Sequence, residues 1–144
     1  MSSPLTVRII QFFTWSGNLI PQIFIIISLL IIDFEKGYQV AWIWFWGYAI
    51  NLILKNTIKK ARPNKALWRI PHVNGHSFPS GHSLTSLVLY WSIARVFEIE
   101  APLVYIFYTW PFLLGLSRLY LRVHHLEDVV CGWIIAYMYL LWMC

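Results

Sequence analysis

Four stretches of this 144-residue chain contain no Lys, Arg, Asp or Glu, and they limit its fold more than any other feature. They cover residues 9–32, 37–54, 101–117 and 129–144, and a shorter fifth stretch covers residues 82–94. About 20 consecutive apolar residues cross a bilayer as a helix. The apolar residues do not alternate with polar ones, as they would in a membrane-spanning strand. The pattern therefore predicts an all-α bundle of five membrane helices, at residues 16–32, 38–58, 81–97, 101–121 and 126–143.

The composition agrees with a membrane protein, since 59% of the residues are hydrophobic and only 12% are charged. Soluble domains contain about 45–50% apolar residues. A chain of this length is expected to form one domain, here residues 1–144. Residues 4–15 precede the first predicted span, and we expect them to form a helix at the membrane interface.

The charges divide unevenly between the two membrane faces that five alternating spans define. The first face holds the N-terminus, residues 55–80 and residues 118–128, and its nine basic and two acidic residues give a net charge of +7. The second face has two basic and four acidic residues, a net −2, and the sum is the +5 of the chain. All five histidines also lie on the first face: His72, His76, His82, His124 and His125. The positive-inside rule would place this face in the cytoplasm, whereas the alternative interpretation is an anion site.

Three polar stretches on the first face contain the candidate chemistry, and the first is KNTIKKARP at residues 55–63. Lys55 and Arg62 are seven residues apart, which is the same face of a helix. Pro63 biases the preceding residue away from helix and marks the expected helix end. Two cations are therefore predicted to lie together at a membrane boundary, although basic helix ends are also common without any function.

The second stretch, FPSGHS at residues 78–83, is predicted to begin a helix. The first N–H groups of a helix lack partners within it and attract anions. Ser80 can cap this helix or donate a hydrogen bond, and Gly81 allows an anion to approach the backbone. His82 then lies on the first turn, where it can donate a proton. A capped helix start with a surface histidine is the plainer interpretation.

The third stretch, SRLYLRVHHLED at residues 117–128, combines a cation, a histidine and a carboxylate. Arg118 precedes His124 by six residues and Asp128 follows it by four, a spacing that makes neighbours on a helix. A carboxylate beside an imidazole fixes its tautomer and raises its basicity. Each stretch alone has an ordinary structural explanation. Together they supply three cations, a helix N-terminus and two histidines, which are the groups that phosphoryl transfer needs.

The three motifs K-x6-RP, PSGH and SR-x5-H-x3-D together resemble those of the type 2 phosphatidic acid phosphatase (PAP2) superfamily, which also contains vanadium haloperoxidases. The resemblance implies that His124 is the nucleophile that becomes phosphorylated, that Asp128 orients it and that His82 protonates the leaving oxygen. It also implies that the phosphoryl oxygens are held by Lys55, Arg62, Ser80, Gly81 and Arg118. The implied mechanism needs no metal or other cofactor, and the sequence offers no carboxylate cluster for Mg²⁺.

Two features differ from the usual pattern of that family. Many members have six spans rather than five. The residue two positions before the nucleophile is often glycine, whereas here it is Arg122. We group Arg122 with Lys65 and Arg69 as candidate headgroup contacts, for which attraction to anionic lipids is the plainer interpretation. The role of His125 is left open between a spare proton acceptor and a residue facing headgroups.

These observations predict an integral, multi-pass membrane phosphatase that acts on a lipid phosphate or pyrophosphate. Phosphatidic acid, phosphatidylglycerol phosphate and polyprenyl pyrophosphates are the candidate substrates. The expected partners are this substrate and membrane lipids, without nucleic acid, and the oligomeric state is left open. The resemblance favours an extracytoplasmic or luminal site, against the positive-inside rule. Two alternatives are a non-catalytic membrane protein that retains the anion pocket and an oxidising enzyme that holds vanadate in it.

Overall fold

Six α-helices make up most of the computed structural model, which describes residues 4–143 and contains no strand within them. The helices are α1 Pro4–Thr14, α2 Leu19–Ile32, α3 Phe34–Ile58, α4 Gly81–Val96, α5 Leu103–Tyr120 and α6 Leu126–Met143. The prediction of an all-α fold is confirmed, and α1 lies where the interfacial helix was expected. Residues 1–3 and 144, which the expected single domain includes, lie outside the described residues.

Helix α4 forms the centre of the bundle and packs against α3, α5 and α6. Ten of its 16 residues are buried. Leu84 and Leu87 pack in a core cluster that also contains Leu140 of α6, and Leu89 packs in a second cluster with Val40 of α3. A helix that is buried on most sides has apolar or small side chains around most of its circumference. The N-terminus of α4, which contains the PSGH motif, therefore lies in the middle of one end of the bundle.

The start of α2 differs from the prediction because a 3-10 turn, Trp15–Gly17, separates it from α1. The start of α3 also differs, since α3 begins at Phe34 directly after Asp33. The Asp33 carboxylate accepts a hydrogen bond from the backbone N of Lys36 at 3.0 Å and so caps α3.

The end of α3 corrects one expectation. The helix stops at Ile58, and Lys59 then adopts the left-handed conformation with φ 51°. Arg62 lies beyond this break, in the long loop of residues 59–80 that leads to α4. The prediction that Lys55 and Arg62 share one helix face is therefore wrong, because the left-handed turn redirects the chain between them.

The described residues contain one helix that is long and apolar enough to cross a membrane, α6, and the pair α1–α2, bent by 48°, qualifies as one further broken span. Helices α2 and α4 have 14 and 16 residues, or about 21 and 24 Å at 1.5 Å per residue. Both are shorter than the bilayer core of about 30 Å. Helices α3 and α5 are long enough, but their aromatic and polar residues reduce their mean hydropathy. The five spans thus stay a prediction.

Candidate active site

The three motif stretches meet at one end of the bundle, around a cavity of about 480 Å³. The residues of its lining include six of the sequence-predicted site residues: Lys55, Arg62, Gly81, His82, Arg118 and His124. These residues come from α3, the long loop, α4, α5 and the turn between α5 and α6. Five separate segments of the chain therefore form this cavity, and no single local motif could.

His124 lies in the turn before α6 and is only 6% exposed. Its Nε2 is 3.0 Å from Nη1 of Arg62, and its Nδ1 is 3.6 Å from Oδ2 of Asp128. The contact with Asp128 follows the predicted i, i+4 spacing, although His124 precedes the helix and does not belong to it. Burial lowers the pKa of the His124 imidazole to about 4, so that the ring is neutral at neutral pH. A neutral ring has a lone pair on one nitrogen.

Asp128 is fully buried on the first turn of α6, behind His124. Its Oδ1 accepts a hydrogen bond from Lys60 Nζ at 2.6 Å. Its Oδ2 accepts one from the Ser77 hydroxyl and one from the backbone N of His125 at 2.9 Å. The Ser77 hydroxyl oxygen is also 3.5 Å from Nδ1 of His124. A buried carboxylate with this many donors is fixed in position and stays ionised.

Arg62 and Lys55 are held by neutral carbonyl groups rather than by carboxylates. The guanidinium of Arg62 donates to the carbonyl oxygens of Gly75 and Asn74 at 2.9 Å each, and to that of Val123 at 2.8 Å. Lys55 Nζ donates to two carbonyls of the long loop, at 3.0 and 2.7 Å. Carbonyl partners orient a cation without neutralising its charge, so both charges remain available to an anion.

Arg118 adds a third cation to the cavity and is only 5% exposed. Its Nε is buried and has no hydrogen-bond partner within residues 4–143. A buried donor without a partner is costly in a folded protein. The arrangement of Arg118 is thus the one expected of a group that completes its hydrogen bonds with a ligand.

The N-terminus of α4 is built as the sequence indicated. The Ser80 hydroxyl oxygen accepts from the backbone N of Ser83 at 3.4 Å, which confirms the predicted cap. Ser80 itself is fully buried and does not line the cavity, whereas Gly81 does. A Cβ at Gly81 would lie 3.3 Å from the Asn51 amide nitrogen, so the backbone passes close to α3 here.

His82 lies on the first turn of α4 and is packed against the segment between α1 and α2. A Cβ at Gly17 would lie 2.5 Å from Cδ2 of His82, so only glycine allows this approach. The backbone of Thr14 interacts with the imidazole, while His82 Nε2 is buried without a partner among the described residues. One nitrogen of His82 is therefore free to serve a ligand in the cavity.

The three candidate headgroup contacts lie outside this cavity in the described structure. Lys65 is exposed and lines a second cavity of about 410 Å³ that shares Arg62, Val73 and Asn74 with the first. The guanidinium carbon of Arg69 is 4.3 Å from the centre of the Tyr120 ring. Arg122 is exposed and has a left-handed backbone with φ 56°. Arg69 and Arg122 come from neighbouring backbone segments, since the backbone N of Arg69 donates to the carbonyl oxygen of Leu121 at 3.1 Å.

Sequence reasoning missed two groups of site residues. Lys60 and Ser77 hold Asp128, yet Lys60 is one of three lysines in its stretch and Ser77 is an ordinary loop residue by sequence. Gln11, Thr14 and Asn18 line the cavity, although they precede all three motifs. No pattern in the chain marks these residues, because only the packing of α1 against α5 brings them to the site.

Known proteins match both the sequence and the fold. The model of the PAP2 superfamily matches residues 36–144, which is more than half of the chain and includes all three motifs. The chain belongs to the PAP2 superfamily. Phosphatidylglycerophosphatase B of Bacillus subtilis (strain 168) is 36% identical over 91 residues, which are 58% of this chain and 44% of that relative. The matched part is thus less than half of that relative's length.

Two crystal structures share the fold of this PAP2 chain. One is the first transmembrane PAP2 type phosphatidylglycerolphosphate phosphatase from Bacillus subtilis, with a TM-score of 0.80 and 23% identity over 99% of this chain and 77% of that one. The other is LpxE of Aquifex aeolicus, with a TM-score of 0.85 and 21% identity over 99% of this chain and 87% of that one. At these identities the likeness concerns the fold.

Proposed function

We propose that this PAP2 chain is an integral membrane phosphatase that hydrolyses a lipid phosphate or pyrophosphate through a phosphohistidine at His124. The observation that supports this most directly is the position of His124 Nε2, 3.0 Å from the Arg62 guanidinium in a cavity that two more cations line. The nucleophile and the groups that stabilise negative charge lie in one place, as phosphoryl transfer requires.

In the first step, the lone pair of His124 Nε2 forms a bond to phosphorus while the bond from phosphorus to the lipid oxygen breaks. Protonated His82 gives its proton to the leaving lipid oxygen. Arg62 donates to His124 Nε2 in the structure, so the phosphate replaces this acceptor when it binds. The proton on His124 Nδ1 stays directed toward Ser77 and Asp128, and the carboxylate balances the positive charge of the phosphorylated ring.

In the second step, water attacks the phosphorus atom and neutral His82 accepts a proton from it. The bond between phosphorus and nitrogen breaks, and the electron pair returns to Nε2 of His124. Inorganic phosphate is one product, and the other is the lipid alcohol from a lipid phosphate or the lipid monophosphate from a pyrophosphate. Both histidines regain their starting protonation. Lys55, Arg62 and Arg118 stabilise the charge on the phosphoryl oxygens in both steps, so the mechanism requires no metal.

The membrane placement is part of the proposal, with helices α2 to α6 as five spans and the cavity on the extracytoplasmic or luminal side. Large apolar side chains on the outer surface support it: Phe12, Ile31 and Trp142 are 84%, 80% and 79% exposed. Apolar exposure on this scale marks a surface that contacts lipid or protein. A site at the bundle end lets a lipid keep its chains in the bilayer while its phosphate enters the cavity.

Purified protein in detergent should release phosphate from a panel of lipid phosphates, and the release should persist in EDTA. The panel contains phosphatidic acid, phosphatidylglycerol phosphate and a polyprenyl pyrophosphate. His124→Ala should lower turnover by at least about a thousandfold, because the nucleophile is lost. A melting curve of that variant shows whether it folds. Unchanged turnover by folded His124→Ala would contradict the assigned nucleophile, and binding without turnover by the native chain would favour a non-catalytic lipid-phosphate-binding protein.

A further inference from the structure

The lining of the cavity has two chemically different parts. Three cations line it from α3, the long loop and α5, and the long loop also contributes His72 and Asn74. Neutral polar residues line it from α1 and from the residue just before α2. Gln11 and Asn18 belong to this second part, and we call them the amide wall. We propose that the amide wall binds the hydroxylated group that carries the phosphate, so that the chain prefers phosphomonoesters of polyols. This inference rests on the proposed function and specifies its substrate class.

The hydrogen-bonding capacity of the amide wall is unused inside the protein. Asn18 precedes α2 but its side chain makes no capping bond, and within residues 4–143 neither amide has a hydrogen bond to another residue. An amide offers two donors and one acceptor group, whereas a hydroxyl both donates and accepts. A dianionic phosphate only accepts, and it is served better by Lys55, Arg62 and Arg118. The two parts of the lining thus match the two parts of a polyol phosphate.

The amide wall is held in place by contacts that do not involve the amides themselves. The hydroxyl oxygens of Thr14 and Ser117 are 2.7 Å apart and connect α1 to α5. Trp110 Nε1 donates to the Ser16 hydroxyl at 3.2 Å, and the Gln22 side chain donates to the Gly17 carbonyl at 3.1 Å. A fixed backbone lowers the ordering cost of binding, so the amides need only small side-chain adjustments.

The position of the amide wall in the chain also indicates a role in specificity. All residues that the mechanism uses lie within residues 36–144, the part that the family model matches. Gln11 and Asn18 lie before this part, so they are separate from the shared catalytic motifs. The cavity of about 480 Å³ is within the range of small-molecule sites, and it has room for more than a phosphate group of five non-hydrogen atoms.

Two lipids with the same acyl chains provide the test. Phosphatidylglycerol phosphate has a free hydroxyl next to its terminal phosphate, whereas phosphatidic acid has none. The ratio of kcat/KM for the first lipid to that for the second should fall about tenfold in the double variant Gln11→Leu/Asn18→Leu, because two neutral hydrogen bonds are lost. The control Asn56→Leu removes an exposed amide that does not line the cavity and should keep the native ratio.

An unchanged ratio in the double variant would overturn the proposed role of the amide wall. The chain would still be a lipid phosphatase in that case. If the native chain hydrolyses neither lipid, binding still tests the amide wall, and the proposed function fails only if the polyprenyl pyrophosphate is not hydrolysed either. Calorimetry should then show that the native protein binds glycerol 3-phosphate more tightly than methyl phosphate. The double variant should lose this preference by about the same tenfold factor, and equal affinities in the native protein would reject the inference. The single variant Asn18→Ala, at an exposed position, serves if the double variant does not fold.

Discussion

At the scale of single residues, the protonation state of His124 decides whether it can act as a nucleophile. The ring is almost fully buried beside Arg62, Arg118 and Lys55, which oppose a positive charge on it, while the nearby Asp128 favours one. Burial is the strongest of these effects and lowers the pKa of His124 to about 4. We therefore expect the ring to be neutral above this pH and to be protonated only as the pH falls through about 4.

Nuclear magnetic resonance of ¹⁵N-histidine-labelled protein measures this titration directly, with His124→Ala to assign the signal. The folded state resists protonation of His124 more than the unfolded state does, so His124 should lower stability as the pH falls from about 6.5 toward 4. A midpoint for His124 near 6.5 would contradict the environment described here.

Lys60 is the residue whose role the structure shows most clearly beyond the three motifs. Its Nζ is 2.6 Å from Asp128 Oδ1 and 2.7 Å from Glu127 Oε1. Without Lys60 the buried carboxylate would lose its nearest cation and one of the three donors that fix its orientation. We predict that Lys60→Ala lowers kcat on the order of tenfold with a smaller change in KM, since the nucleophile is less well oriented. Steady-state kinetics on a lipid phosphate measure both constants.

Two further variants separate orientation from general destabilisation. Lys60→Arg keeps a cation beside Asp128 and should recover most of the lost kcat. Glu127→Gln removes the exposed partner of Lys60 and should leave kcat within about twofold, because exposed ion pairs contribute little. A Lys60→Ala variant with native kcat, or a Glu127→Gln variant that loses as much as Lys60→Ala, would show that Lys60 does not position Asp128.

At the scale of structural elements, the sequence predicted what depends on local spacing. Ser80 caps α4 and His82 lies on its first turn because both follow from a short motif at a helix start. Lys60 and Ser77 lie 68 and 51 residues from Asp128, so their contacts depend on how the long loop folds over α6. The helix face predicted for Lys55 and Arg62 was wrong because a single left-handed residue, Lys59, follows the end of α3 at Ile58 and so leaves Arg62 outside the helix.

The turn between α5 and α6 contains an unusual backbone conformation at Arg122, the residue that differs from the usual family pattern. Arg122 adopts φ 56°, a conformation that glycine accepts and that costs other residues about 1–2 kcal/mol. We predict that Arg122→Gly raises the free energy of unfolding by about 1 kcal/mol. Thermal or denaturant unfolding in detergent measures the change.

Arg122→Ala is the matched control, because it removes the charge and keeps the Cβ atom that opposes this conformation. It should not stabilise the protein. Equal stabilisation by alanine and glycine would mean that the charge of Arg122, rather than its backbone, is unfavourable. Both variants also show whether Arg122 affects the preference for a lipid headgroup, which the exposed position outside the cavity does not favour.

At the scale of the whole molecule, the proposed topology depends most on α4, because this helix alone separates the long loop from residues 97–102. Its 16 residues extend about 24 Å, less than the bilayer core of about 30 Å. Arg95 near its end can extend its side chain to the interface, and a bilayer can thin locally around a short span. We therefore predict that α4 crosses the membrane and that the long loop is on the extracytoplasmic or luminal side.

Cysteine labelling in intact cells tests both statements. After replacement of Cys131 and Cys144 by serine, the exposed positions Ala66 and Glu100 are changed to cysteine, one at a time. A membrane-impermeant maleimide should label Ala66→Cys in intact cells and Glu100→Cys only after lysis, because α4 places them on opposite sides. Labelling of both in intact cells would show that α4 does not cross. Labelling of Glu100→Cys alone would place the site in the cytoplasm, as the charge of +7 on that face predicts under the positive-inside rule.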